Sequence, residues 1–307
     1  MNPLKGIGLK LASVTMVILM SSLIKATADH IPPGEAVFFR SFFALPVILT
    51  WLWLKGNLST GLKVASKMVH FWRGLVGTAA MGMIFTGLGL LPLPEVTAIG
   101  FAAPILTVIF AAMFLGETVG VIRLGAVALG LVGVLIVLFP RLSAFSGETM
   151  QTAQAMGAVI LLLAAVCTAL AQIYIRKLVA TEKTSAIVFY FSITSSILSL
   201  TTLPFGWVVP TLWEASLMVL TGVIGGFGQI FLTEAYRNAD ASVVAPFDYA
   251  AMLFALFIGY FVFSEVPTWT MLGGAALIIL AGIIIILREG WLGLERGRSR
   301  KNMTPQG

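Results

Sequence analysis

Long apolar runs follow one another along almost the whole chain, separated by short polar joints. Ten of them approach the length that a helix needs to cross a bilayer core, about 20 residues. They lie at 6–27, 34–54, 72–91, 94–115, 120–139, 155–176, 184–203, 213–234, 241–264 and 268–287. Lipid cannot satisfy backbone polar groups, and the alternation typical of a barrel strand is absent. The pattern therefore predicts an all-α polytopic membrane protein with ten transmembrane helices.

The composition agrees with this prediction and narrows the class of protein. Of the 307 residues, 59% are hydrophobic and only 10% are charged, whereas a soluble globular protein carries about a quarter charged residues. Soluble enzymes, nucleic-acid-binding proteins and disordered chains are therefore excluded, and no nucleic-acid partner is expected. The net charge of +6 has to be explained by where the basic residues lie relative to the membrane.

The basic residues predict the orientation of the chain. With the N-terminus in the cytoplasm, all but three of the 19 Lys and Arg residues fall in the N-terminus, the inner loops with their edges, or the tail. The exceptions are Arg141 in an outer loop and Lys25 and Arg40 within spans. Basic residues are retained on the cytoplasmic side, so both termini are expected to be cytoplasmic.

An internal repeat is predicted from two shifts of the sequence against itself. A shift of 148 residues aligns Phe101 with Tyr249, and a shift of 151 aligns 37–41 with 188–192. Each half contains five predicted spans, an odd number, so the second half enters the membrane from the opposite side. Such inverted repeats place a site at their interface, where alternating access can expose it to either face.

The repeat divides the chain into four parts. We expect a first five-helix repeat over 1–140, a periplasmic linker over 141–154, a second, inverted repeat over 155–287 and a basic cytoplasmic tail over 288–307. The tail is expected to anchor the topology, and it could also rest on anionic lipid.

The N-terminal span has a second interpretation. Lys5 and Lys10, followed by an apolar run and the small residues 26–28, resemble a secretory signal peptide with its cleavage site. Lys25 directly before that site argues against cleavage, and removal of this helix would spoil the repeat. We therefore expect the segment to remain as the first span.

Charged residues near the ends of spans are weaker indicators of a site, because they can be solvated there at low cost. Lys25 can extend to the membrane surface, or it can form an outer gate with Glu35 or Glu95. Glu117 and Glu265 are aligned by the 148-residue shift. Both are expected to be helix caps or scaffold contacts.

Charges deeper in the spans are the strongest candidates for a site, because charge within a membrane usually faces a cavity or a partner. Arg40 lies about 10 Å from the outer end of the second span, and Asp248 lies about as deep from the inner end of the ninth. Arg40 would receive a carboxylate or another anion through its forked donors. Asp248 and Tyr249 would receive an amine or a hydrogen-bonding ring, and Asp248 is also the candidate proton carrier. The alternative is a buried ion pair, or satisfaction by backbone carbonyls.

Polar and aromatic side chains complete the candidate substrate contacts. Thr78 and Gln229 lie beside glycines in the glycine-rich third and eighth spans, where they can present polar groups to a cavity. Phe101 and Tyr249 could hold a planar solute between their rings. The alternative for these aromatic residues is ordinary packing.

Two prolines interrupt the spans that carry these residues. Pro104 in the fourth span and Pro246 in the ninth each remove a backbone donor. The freed carbonyls could face substrate, and a kink would give a gate a place to bend, so Pro104 is also a candidate substrate contact. A purely structural kink is the alternative for both.

The sequence lacks the signatures of other classes of protein. His30 and His70 are far apart without the spacing of metal ligands, so no metal site is predicted, and no cofactor is expected. Cys167 is the single cysteine, so no disulfide within the chain is possible. The spans contain no paired aspartates or other catalytic set, so an enzyme is not expected. The sequence has no phosphate-binding glycine-rich loop, so ATP is not predicted as the direct energy source. A channel or facilitator is the remaining alternative, although no repeated ring of carbonyls or charges is present.

A family resemblance rests on the fourth and ninth spans. The stretch 93–98, continued by 103–105 and 115–117, resembles the fourth helix of the EamA-type transporters of the drug/metabolite transporter superfamily. The stretch from 245–249 to Glu265 resembles the ninth helix of that family. The match in span number, loop length and chain length covers nearly the whole sequence.

The resemblance implies a secondary transporter in the bacterial cytoplasmic (inner) membrane that moves a small organic solute by alternating access. Similar proteins handle amino acids or their derivatives, riboflavin, S-adenosylmethionine or metal-binding opines. The run from Arg73 to Pro92 is most similar to the riboflavin and S-adenosylmethionine branch. The solute, the direction of transport and the oligomeric state, monomer or homodimer, stay open at this point.

Overall fold

A computed structural model describes residues 3–56, 61–115, 121–142, 149–179, 181–238 and 245–302. Within these ranges the chain is helical, with turns and short 3-10 segments as connections and no β-strand. The helices are α1 (Pro3–Thr27), α2 (Pro33–Phe42), α3 (Ala44–Leu54), α4 (Lys67–Leu90), α5 (Leu93–Gly100), α6 (Ala102–Leu115), α7 (Val121–Leu142), α8 (Thr149–Val179), α9 (Thr184–Leu200), α10 (Leu212–Asn238), α11 (Ala250–Phe263) and α12 (Trp269–Asn302).

Each of the ten predicted spans contains helix in the described residues. Five helical stretches are long and apolar enough to cross a membrane: Leu4–Thr27, Pro33–Leu54, Lys67–Leu90, Thr152–Ile175 and Leu212–Ala235. Five shorter apolar helices lie in the other predicted spans. The protein is therefore an all-helical polytopic membrane protein. That all ten helices cross the membrane, with both termini in the cytoplasm, stays a prediction.

Prolines break two of the predicted spans. The second span is two helices that meet at Phe43, because Pro46 has no N–H to donate to the carbonyl of Phe42, where α2 ends. Pro104 has the same relation to Gly100, where α5 ends.

The ninth predicted span begins differently from the other helices. Its first described residues form a 3-10 helix, Ala245–Tyr249, which contains Pro246 and leads directly into α11. The side chain of Pro246, like all of Glu117, lies outside the described part of the structure.

The helices of the first half pack against those of the second half in a matching pattern. Helix α1 lies along α10, and α4 lies along α8. Helices α2 and α3 contact α10, while α9 contacts α4; α11 contacts α1, while α5 and α6 contact α8. Three further pairs, α2 with α9, α5 with α11 and α7 with α12, join corresponding helices directly. For each of these contacts, the equivalent helices of the opposite halves also contact each other.

Two glycines show the same correspondence at the level of single residues. Gly74 in α4 packs closely on α9, because a Cβ there would lie 2.5 Å from Cγ2 of Thr194. Gly222, its equivalent after the 148-residue shift, packs in the same way on Phe43. Phe43 and Thr194 are themselves equivalent after the 151-residue shift.

The apolar residues divide between a core and an outer surface. The core runs between the halves and includes Ile24, Phe85, Ile99 and Leu138. Large apolar side chains are also exposed on the outside, among them Leu135, Phe139, Phe257 and Phe261. An apolar exterior of this kind fits a lipid surrounding.

Candidate functional site

Two arginines meet over one aromatic ring at the interface between the halves. Arg40 lies in α2 and Arg73 in α4, and only 3% and 6% of these residues are exposed. The Cζ atom of Arg73 lies 3.6 Å from the ring centre of Phe191 in α9, and that of Arg40 lies 5.6 Å from it. We name these three residues the arginine stack. Attraction between a cation and an aromatic face holds both guanidinium groups against the ring.

The arginine stack has donors without acceptors. Nε and Nη1 of both Arg40 and Arg73 are buried and have no hydrogen-bond partner in the part of the chain that the structure describes. Among the described residues, no carboxylate forms an ion pair with either guanidinium. The hydroxyls of Ser41 and Ser192 are also buried without a partner. Unpaired buried charges of this kind are costly, so the arrangement is suited to an anion that is not part of the protein.

Glycines make room for the arginine stack on both sides. A Cβ at Gly77 in α4 would lie 2.5 Å from Nη1 of Arg73 and 2.9 Å from Cε2 of Phe191. A Cβ at Gly225 in α10 would lie 3.1 Å from Nε of Arg40. The absence of side chains at these two positions therefore lets helices and guanidinium groups approach each other.

The residues around the arginine stack are equivalent in pairs, but their charges are not. The 151-residue shift aligns Arg40 with Phe191 and Ser41 with Ser192, and the 148-residue shift aligns Gly77 with Gly225. Of these pairs, Arg40 and Phe191 contact each other at the interface of the halves. Both arginines nevertheless come from the first half, so the packing pattern does not require their charge.

The other polar candidates lie on the same helices. The hydroxyl of Thr78 donates to the carbonyl of Gly74 at 2.7 Å, and its oxygen lies 2.7 Å from that of Ser195 in α9. Gln229 is half-buried in α10. Thr78 therefore lies one residue from Gly77 and already has partners in this conformation.

The rings of Phe101 and Tyr249 contact each other directly. Their centres are 5.2 Å apart, with an angle of 50° between the planes. The hydroxyl of Tyr249 lies against Gly282 in α12. A planar solute could lie between the two rings only after they separate. Pro104 near them is exposed, so its place in the structure is the interruption of the fourth span.

Asp248 has a lysine partner that was not anticipated. Its Oδ1 atom lies 2.7 Å from Nζ of Lys10 in α1, and the lysine side chain is 2% exposed. Lys10 was assigned to the cytoplasmic N-terminus, yet it is buried within α1. The pair joins α1 to the 3-10 helix of the ninth span.

A second ion pair joins the same two spans at their other ends. Nζ of Lys25 lies 2.9 Å from Oε1 of Glu265 and donates to the carbonyls of Leu88 and Leu91 at 3.1 and 2.7 Å. Oε2 of Glu265 accepts the N–H of Leu93 at 2.8 Å. Glu265, which was expected to be a helix cap or scaffold contact, is therefore the partner of Lys25 and also contacts the backbone of α5.

Loops close over both ends of the α2 and α9 pair. On one side Glu182 accepts the N–H groups of Ala65 and Ser66 at 2.6 and 3.2 Å, and it lies 3.6 Å from Nε2 of His70. On the other side Glu35 accepts the N–H of Val208 at 3.1 Å. The arginine stack is thus enclosed in this conformation.

The sequence pattern missed Arg73, Lys10 and the two serines. Arg73 was counted with the basic edge of an inner loop, but α4 begins at Lys67, so Arg73 lies almost two turns inside the helix. A periodicity search could not separate a buried arginine from an anchoring one so near a helix end. The unusual run of glycines at Gly74 and Gly77 beside it was the available signal.

The all-helical fold and the charges enclosed within it define a polytopic membrane protein with an internal polar site. A model of the EamA-like transporter family matches residues 4–139 and again 155–288. The chain belongs to this family, and it is a multi-pass protein of the bacterial cytoplasmic membrane.

Characterised relatives agree over almost their full lengths. The chain is 29% identical to an S-adenosylmethionine uptake transporter of Rickettsia felis, covering 97% of this chain and 96% of the relative. It is 31% identical to a pseudopaline exporter of Pseudomonas aeruginosa, covering 90% and 93%. A solved crystal structure has the same fold, with a TM-score of 0.67 at 18% identity over 94% of this chain and 98% of the other. The two sequence relatives are named as transporters.

Proposed function

We propose that the protein is a secondary transporter that moves a small organic metabolite across the cytoplasmic membrane by alternating access. The two moving units are the five-helix repeats over 1–140 and 155–287, in inverted orientation. One observation carries the proposal: equivalent residues of the two halves meet at Arg40 and Phe191, where a buried guanidinium has no partner. A site on the axis that relates inverted repeats is reachable from either face in turn.

Arg40 is the proposed anchor for an anionic group of the solute. Thr78, Phe101, Pro104, Gln229, Asp248 and Tyr249 are proposed as the further contacts along the path. Relatives named for S-adenosylmethionine and pseudopaline support a metabolite of that size, with riboflavin and amino acid derivatives as further candidates.

The two ion pairs of α1 are the proposed gates. Lys10 and Lys25 are 15 residues apart, which is about 22 Å along a helix, and both pair with the ninth span. With the N-terminus inside, Lys10–Asp248 lies toward the cytoplasm and Lys25–Glu265 toward the periplasm. Opening one pair while the other stays closed would expose the arginine stack to one side only. Pro104 and Pro246 interrupt the two spans that would have to bend.

Asp248 is also the proposed coupling residue. Protonation would remove its charge and release Lys10, which links proton binding to the inner gate. In liposomes, Asp248→Asn is expected to abolish uphill transport driven by a pH gradient while counterflow exchange continues. Full uphill transport with an unchanged pH dependence in this variant would refute the coupling.

Alternating access is tested at the two equivalent serines. In a Cys167→Ala background, Ser41→Cys and Ser192→Cys are each expected to react with membrane-impermeant maleimide from both sides, and substrate should shift the two rates in opposite directions. Ser216→Cys, at an exposed position in α10, serves as the one-sided control. Reaction from both sides at rates that substrate does not shift in opposite directions would favour a channel or facilitator, and reaction from one side only would refute alternating access at these residues.

The orientation is tested at the C-terminus. A Met303→Cys variant in the same background is expected to react only after the cells are opened. Labelling of intact cells would reverse the proposed topology.

A further inference from the structure

The arginine stack holds more positive charge than one carboxylate can balance. We infer that the transported solute presents two negative charges to it, as two carboxylates of one molecule or as one phosphate monoester. This inference rests on the proposed function and adds the class of solute.

The first step is the balance of charge. Arg40 and Arg73 are both buried, and a guanidinium stays protonated in proteins. Bringing one negative charge beside them would leave one positive charge uncompensated in a medium of low dielectric constant. Two negative charges remove the imbalance.

The second step is the balance of hydrogen bonds. Nε carries one N–H and Nη1 carries two, so each arginine offers three unpartnered donor hydrogens at these atoms. A single carboxylate has about four lone-pair sites on two oxygens. The donors of two arginines, with the hydroxyls of Ser41 and Ser192 beside them, therefore exceed the capacity of one carboxylate.

The third step is that nearby protein carboxylates are already engaged. Glu182 accepts the backbone N–H groups of Ala65 and Ser66, Glu35 accepts that of Val208, and Asp248 pairs with Lys10. Phe191 fixes both guanidinium groups from one side through its ring face, without using their N–H donors. The donors are thus held in place for an incoming ligand.

This charge requirement separates the candidate solutes. S-adenosylmethionine has one carboxylate together with two cationic centres, so it would bring positive charge toward two arginines. An amino acid that carries a second carboxylate on its nitrogen substituent presents two carboxylates against one ammonium, and a sugar phosphate presents two negative charges without a cation.

The test measures the binding of four ligands to the wild type and to three variants. The purified protein is titrated with an N-carboxyethyl amino acid, the parent amino acid, S-adenosylmethionine and glycerol 3-phosphate, and binding is followed by the thermal unfolding midpoint. The wild type is expected to bind a two-charge probe at least about ten-fold more tightly than the parent amino acid. Arg73→Gln should reduce this preference to about one, while Arg73→Lys should keep part of it. Lys67→Gln, an exposed lysine on the same helix, is the matched control and should leave the preference unchanged.

The outcomes distinguish the solute class from the transport function. Preference for the N-carboxyethyl probe or for glycerol 3-phosphate identifies which dianion is bound. Equal or tighter binding of S-adenosylmethionine or the parent amino acid, or no binding of any two-charge probe, would overturn the inference. Counterflow in liposomes is measured separately. Binding of a dianion without counterflow would refute the proposed function and leave the binding site intact.

Discussion

In the described part of the chain, the buried lysines toward the ends of the molecule are paired with opposite charges, whereas the buried arginines at its centre are not. Toward the ends, Lys10 and Lys25 each contact a carboxylate within 3 Å. At the centre, Arg40 and Arg73 are as deeply buried but lack an acidic partner among the described residues. Paired charges stabilise the fold that contains them, whereas unpaired ones reduce its stability and persist where a ligand completes them.

The largest expected effect comes from removing charge at the centre. Arg40→Met keeps much of the length of the side chain but removes its charge and donors. Binding of the transported solute should fall about 100-fold, the equivalent of about 2.7 kcal/mol. The thermal unfolding midpoint without solute should rise, because an uncompensated buried charge has been replaced by an apolar group.

Lys67→Met is the control, since it removes an exposed charge at the first residue of α4. Its effects on both quantities should be small. A lower midpoint for Arg40→Met, with solute binding unchanged, would show that Arg40 stabilises the fold and does not bind solute.

The next largest effect is expected at the outer pair, with the opposite sign for stability. Glu265→Gln removes the negative charge that balances the ammonium of Lys25, which still donates to the carbonyls of Leu88 and Leu91. The free energy of unfolding should fall by about 2–3 kcal/mol, because both side chains are mostly buried. Denaturation in detergent measures this change. A variant as stable as the wild type would mean that the pair contributes nothing to the closed conformation.

A smaller effect separates the two glycines beside the arginine stack. Gly77→Ala forces Arg73 and Phe191 to move, so solute binding should weaken roughly five-fold, or about 1 kcal/mol. Gly225→Ala requires shifts of only a few tenths of an ångström from Met20 and Arg40, and a smaller loss is expected. Isothermal titration of both variants gives the order. The reverse order would show that the space around Arg40 limits binding more strongly.

The smallest effect is expected at an exposed ion pair. Lys55 and Glu234 lie 3.8 Å apart, with 48% and 23% of their side chains exposed. Glu234→Gln should change the free energy of unfolding by less than about 1 kcal/mol. The same denaturation experiment therefore serves as the matched comparison for Glu265→Gln, and equal losses would remove the distinction between the two pairs.

The helices were predictable from apolar length alone, because lipid leaves the backbone no alternative. The break at Phe43 was not foreseen, although Pro46 carries the same signal that Pro104 gave in the fourth span. The predicted start of the third span, residue 72, is too late, because its helix begins at Lys67. That error moved Arg73 from the interior of a helix to its edge.

The site was predictable only in part, for a physical reason. Arg40 stands out because it lies deep in an apolar run, where a charge has no cheap explanation. The partners of Asp248 and Lys25 lie 238 and 240 residues away in the sequence, so no local pattern connects them. The repeat alignment makes Arg40 and Phe191 equivalent, but their contact depends on how α2 and α9 pack, and the second guanidinium on that ring depends on the packing of α4.

The arginine stack has an electrical consequence. An empty carrier with two uncompensated cations at its centre responds to the membrane potential whenever those cations change their position in the field, by up to about 2.3 kcal/mol per charge for each 100 mV crossed. A bound dianion cancels both charges, and the loaded carrier then moves as a neutral body. The ion pairs of Lys10 and Lys25 are neutral while their carboxylates are ionised, so the only further charge that moves is a proton carried by Asp248. Voltage would therefore act on the return of the empty protein, and on the loaded step only through that proton.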